Sequence, residues 1–61
     1  MELVWIPDEK VWGKVLEIGS HFCLVEFTKD RILHQEYFEY DEVIDARELG
    51  IEYEVEENTE F

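Results

Sequence analysis

The sequence predicts one small, mainly β domain: five short strands, with a short helical turn before the last. Three observations carry that expectation. β-branched and aromatic residues gather in short runs bounded by Gly, Pro, Asp and Ser, the punctuation of strands and turns. Alternation with period two runs through His21 to Thr28 and again through Ile51 to Glu56, as it does when one strand face is buried and the other is wet. The 61-residue chain is also 46% hydrophobic and 15% aromatic, too apolar for a disordered acidic tail. A domain this short buries only about 60% of the surface its unfolded chain exposes, so its core must be small.

Leu3 to Ile6 forms the first apolar run, and Pro7-Asp8-Glu9-Lys10 stops it as a loop. Val11 to Ile18 is the second strand, rich in Val11, Trp12, Val15 and Ile18, and Gly19-Ser20 turns the chain. Within it Gly13 marks a bulge or a close approach of another backbone, with Val15 and Ile18 on either side of a register change. His21 to Thr28 is the third strand, and its alternation sends Cys23, Val25 and Phe27 to the core and Phe22, Leu24 and Glu26 to the other face. Lys29-Asp30 reads as a two-residue turn into a fourth strand from Arg31 to Tyr40, completing a meander. Asp41 can N-cap a helical turn with Val43, Ile44 and Ala46 on its apolar side and Gly50 at its end. Ile51, Tyr53 and Val55 then alternate with Glu52, Glu54 and Glu56 as the last strand. The domain is expected to span residues 1–56, with 57–61 as an acidic tail.

Seventeen acidic residues against five basic ones give a formal charge of -12. Direct binding to nucleic acid is disfavoured, because Lys and Arg must neutralise phosphate, and an anionic membrane surface is disfavoured for the same reason. One cysteine, Cys23, permits neither an internal disulfide nor a multi-cysteine zinc site. Its apolar surroundings make it a small buried hydrophobe. No basic segment followed by an apolar stretch opens the chain, and no run approaches a membrane span, so a cytoplasmic location is expected. His21, His34 and Glu36 show no converging metal-ligand spacing. Nucleophile-base and glycine-rich phosphate motifs are absent from the sequence. The chain therefore reads as a non-enzymatic protein without cofactor or metal.

Val4-Trp5-Ile6-Pro7-Asp8-Glu9-Lys10 resembles the opening of the small SH3-like domain found at the N-terminus of many myosin heavy chains. Gly13-Lys14-Val15-Leu16-Glu17-Ile18 is similar to the second strand of Tudor and KOW domains. Val25-Glu26-Phe27 looks like the centre of Tudor-like barrels, and Asp41-Glu42-Val43-Ile44 sits where those families place their helical turn. The resemblance covers Leu3 to about Asp45 and implies a five-stranded SH3-like barrel. It speaks to fold more than to function. Tudor domains bind methylated Lys or Arg in a cage of aromatic rings by cation-π attraction, and Trp5, Trp12, Tyr37 and Tyr40 are the rings available here. KOW domains bind RNA or protein through basic loops, which this chain lacks.

Residues 31 to 61 hold eleven acids and two bases. Acidic residues keep a small protein soluble, yet an imbalance this large costs stability through self-repulsion and exceeds what solubility requires. Residues i and i+2 of a strand lie about 6.7 Å apart on one face, so Glu52, Glu54 and Glu56 would form a row of charge. Two nucleotide steps of DNA advance about 6.8 Å. Glu39, Asp41, Glu42 and Asp45 extend the anionic surface, with Tyr37 or Tyr40 as an aromatic anchor. The expected partner is a protein with a basic surface, a nucleic-acid-binding protein above all, blocked by an imitation of nucleic-acid charge. Small virus- or phage-encoded inhibitors resemble this chain in being short, single-domain, cofactor-free and acidic. The alternative is a Tudor-like reader or structural adaptor that binds through an aromatic edge of Trp5, Trp12 and Tyr40.

Overall fold

A computed structural model describes residues 1–51 of the chain. It is mainly β: β1 (Leu3–Ile6), β2 (Val11–Ile18), β3 (Phe22–Lys29), β4 (Ile32–Glu39) and β5 (Ile44–Asp45), with 3₁₀ turns at Tyr40–Glu42 and Ala46–Leu49. All pairings are antiparallel, in the order β4-β3-β2-β1-β5. Among the described residues the sheet is not closed, and β4 and β5 form its two edges.

The core lies on one face of this curved sheet. Val4 and Ile6 from β1, Cys23, Val25 and Phe27 from β3, Phe38 from β4 and Val43 make one buried cluster. The alternation in β3 is therefore realised as expected: Cys23, Val25 and Phe27 go in, while Phe22 and Leu24 face outward beside Glu26. Gly13 is buried in β2 because a Cβ there would come within 2.3 Å of Val25 Cγ1 and 3.1 Å of Ile6 Cδ1. The close approach is thus chiefly to side chains, with the Glu26 carbonyl 3.3 Å away. The register change expected beyond it falls between Val15 and Glu17, where Val15 pairs with Val25 and Glu17 with Leu24. One extra residue there bends the strand and increases its twist, which lets β2 pair with β1 at one end and β3 along the other.

Two sequence expectations are displaced, and a third lies largely outside the described residues. The β3–β4 turn is Asp30-Arg31 rather than Lys29-Asp30, with φ of 54° and 68° and Lys29 pairing with Ile32. Positive φ at both central residues is the type I′ geometry that matches strand twist. The one-residue shift sets Phe38 opposite Cys23, where it is buried and lies 6.0 Å from Phe27 between ring centroids.

The second displacement is the helical turn. Asp41 caps no helix over 41–49; Glu39 is the cap residue of the first 3₁₀ turn, and Asp45 caps the second by accepting a hydrogen bond from the Arg47 amide at 3.1 Å. Between them Val43 is extended and Ile44 and Asp45 pair with Trp5 and Val4 of β1. Two β-branched residues in a row favour strand over helix, and the β1 edge supplies the partner that the local sequence does not reveal. Gly50 ends the segment as expected, in the left-handed conformation with φ of 79°.

The third concerns the last strand. The fifth strand of the observed sheet is Ile44–Asp45, and the strand expected at Ile51 to Glu56 lies, beyond Ile51, outside the described residues, as does the 57–61 tail. No helix among the described residues is long and apolar enough to cross a membrane.

Candidate protein-binding face

On the face opposite the core, the end of the sheet near the β2–β3 turn carries unusual exposure of large apolar groups. Tyr37 is 66% exposed and Phe22 47%. Strand register explains why they gather: Leu24 pairs with both Tyr37 on β4 and Glu17 on β2, while Phe22 pairs with Glu39. Antiparallel partners point to the same side and come within about 5 Å of each other. Glu17, Phe22, Leu24 and Tyr37, with the turn residues Gly19, Ser20 and His21, line a shallow cavity of about 230 Å³. An aromatic and aliphatic floor thus lies between two carboxylates, Glu17 on β2 and Glu39 on β4.

Of the residues singled out from sequence, Tyr37 and Glu39 belong to this face. Tyr40 does not: its ring packs against the core and its hydroxyl donates to the Gly19 carbonyl, fastening the first 3₁₀ turn under the β2–β3 turn. Two of the acids have backbone partners of their own. Glu42 accepts the Glu39 amide at 2.9 Å within the β4–β5 connection, and Asp45 accepts that of Arg47 and so caps the 3₁₀ turn that follows β5. Asp41 is exposed in the same connection. Glu52, Glu54 and Glu56 lie outside the described residues.

Trp5 and Trp12 are cross-strand partners on β1 and β2, packed edge to face with centroids 5.2 Å apart and planes at 61°. Trp5 is half-buried and Trp12 is 38% exposed. They pack on each other, whereas the third ring of that edge, Tyr40, packs against the core and donates its hydroxyl to the Gly19 carbonyl beyond the end of β2. The structure does not bring the three together.

The remaining candidates have structural environments. Burial pushes the Cys23 thiol above its ordinary pKa, which lowers its thiolate fraction and reactivity. His34 stacks on Phe27 with centroids 5.0 Å apart and planes at 13°. Its Nδ1 lies 3.8 Å from Glu36. Lys29 donates to Glu9 at 2.5 Å, joining the β1–β2 loop to the β3–β4 hairpin, and that carboxylate raises the lysine's pKa. Among the described residues no group of three His, Cys, Asp or Glu side chains converges as a metal site.

Phe22, Leu24 and Glu17 were not singled out from sequence. The signal existed in β3, where alternation sends two large apolar residues to the solvent side beside Glu26; only the pairing with β2 and β4 shows what joins them. No family model matches this chain, and neither a curated protein nor a solved structure matches it.

Proposed function

We propose that this chain is a small acidic binding protein that docks on the basic surface of another protein and obstructs it, its carboxylates standing in for a nucleic-acid backbone. One observation carries the reading: the exposed rings of Phe22 and Tyr37, with the half-buried Leu24 between them, form an apolar floor between Glu17 and Glu39. Apolar anchors inside a charged rim are the anatomy of a docking surface, in which aromatic residues hold the complex and charges set encounter rate and choice of partner. The surrounding charge fits this use. Twelve of the acids and all five bases fall within residues 1–51, and none of these acids is buried. Steering by a field of that sign favours a cationic partner, and a nucleic-acid-binding protein is the class whose working surface has the matching charge. The strand order, with a 3₁₀ turn leading into β5, supports the SH3-like small-barrel architecture as the scaffold.

The test is affinity capture at about 50 and 200 mM salt, with duplex DNA as competitor, comparing wild type with Tyr37→Ala and with Glu17→Gln, Glu39→Gln. The expected result is a nucleic-acid-binding protein that salt and DNA both displace, as shared phosphate contacts require, and that neither variant retains. Capture that resists salt and both variants but fails in Trp12→Ala overturns the reading in favour of the Trp5–Trp12 edge.

A further inference from the structure

Among the described residues β4 is an eight-residue edge strand. Long regular edges are normally blunted by a bulge, by proline or by lysine, because their unpaired backbone groups recruit further strands. β4 contains neither Pro nor Lys and pairs with β3 without a register shift from Ile32 to Glu39. It also exposes Ile32 at 59%, Leu33 at 61% and Tyr37 at 66%. Antiparallel pairs alternate between hydrogen-bonded and non-bonded, and the pair closing a two-residue hairpin, here Lys29 and Ile32, is a bonded one. His34, Glu36 and Phe38 therefore spend their backbone groups on β3. Leu33, Gln35 and Tyr37 aim theirs away from the sheet, at a side where no strand lies among the described residues.

We propose that this edge pairs with the β4 edge of a second copy of the same chain, antiparallel about a two-fold axis at Gln35, to make one continuous sheet across the dimer. The occupant follows from the order of residues along the strand. With Gln35 opposite the partner's Gln35, Leu33 lies opposite the partner's Tyr37, His34 opposite the partner's Glu36, Ile32 opposite the partner's Phe38 and Arg31 opposite the partner's Glu39. Symmetry doubles each of these contacts. Aliphatic meets aromatic, and cationic or protonatable groups meet carboxylates, the cross-strand pairs that stabilise sheets. The neighbouring registers that also keep the two core faces together are poorer. Moving the axis to Glu36 sets two carboxylates against each other and Leu33 against the partner's Glu39; moving it to His34 sets Ile32 against the partner's Glu36. The outward backbone groups at 33, 35 and 37 bond to one another in the favoured register, as strand addition requires.

Sedimentation velocity on the full chain across a concentration series at about 0.15 M salt, with amide exchange read by NMR, tests the proposal. A monomer–dimer equilibrium is expected, with the Leu33, Gln35 and Tyr37 amides gaining protection as concentration rises. Gln35→Lys keeps a partner for Glu26, to which Gln35 now donates at 2.9 Å, but faces two ammonium groups across the axis. It should weaken association about tenfold or more, a loss of about 1.4 kcal/mol, while leaving the monomer folded. Arg31→Glu should weaken association as well, and adding Glu39→Arg should restore it, a rescue specific to this register. A monomer up to about 1 mM, protection of the three amides at every concentration, or a dimer indifferent to Gln35→Lys would each overturn it.

Discussion

At the scale of single residues, the core is small enough for one methyl group to matter. Gly13→Ala would drive its Cβ into Val25 and Ile6, and both are fully buried side chains that cannot swing aside. Overpacking of this kind costs about 1–3 kcal/mol, so urea denaturation should show a loss of that size with an unchanged slope. The opposite sign is expected at Arg31, a non-glycine residue in the left-handed conformation. Such a residue carries about 1–2 kcal/mol of strain, part of which glycine returns as unfolded-state entropy. Arg31→Gly should therefore raise stability by about 0.5–1 kcal/mol, read as a shift of the denaturation midpoint. Lys29 gives a pH signature. Its pKa is raised above 10.5 in the folded chain by the Glu9 carboxylate, so the bridge's contribution is fully present below the unfolded value and fades as pH climbs through the folded one. Glu9→Gln should cost stability at neutral pH, and its difference from wild type should vanish in strongly alkaline buffer.

Elements show which parts of the molecule their own sequence encodes. β1, β2 and the inward set of β3 were legible because alternation and turn residues report local burial, and Gly13 was legible because a glycine inside an apolar strand marks a bulge or a crowded neighbour. The 41–49 segment was not. Ile44-Asp45 became strand because β1 offered an open edge, a fact that no window of neighbouring residues contains. Site legibility divides along the same line: Tyr37 and Glu39 were visible as an aromatic and an acid in an acidic half, whereas their union with Phe22, Leu24 and Glu17 depends on a pairing register fixed by the Asp30-Arg31 turn. Tyr40 has the sequence surroundings of an exposed anchor, a tyrosine beside acids; the hydroxyl's partner, Gly19, is 21 residues away. That bond joins the first 3₁₀ turn to the β2–β3 turn. Tyr40→Phe keeps the ring's packing and removes only the hydroxyl, leaving the Gly19 carbonyl to water. The expected loss is about 1 kcal/mol, with faster amide exchange concentrated at the β2–β3 turn and residues 40–42.

The whole molecule is governed by its charge, and salt should separate the two proposed association modes by sign. A chain of formal charge -12 repels itself in the folded state and repels a second copy more strongly still. Added salt shortens the screening length from about 30 Å at 0.01 M to about 8 Å at 0.15 M, relieving both. The melting temperature should accordingly rise over that range. Pairing of two β4 edges rests mainly on backbone hydrogen bonds and on Leu33–Tyr37 contacts, which salt of this strength leaves intact, so dimerisation should tighten as repulsion is screened. Docking on a basic partner draws on attraction between opposite charges, which the same salt removes, so that affinity should fall. Titrating salt over one protein sample by sedimentation and over its complex with a captured basic partner should give slopes of opposite sign. Two slopes of the same sign would mean that one surface serves both purposes, with Tyr37, which belongs to the docking face and to the β4 edge alike, as the first residue to substitute.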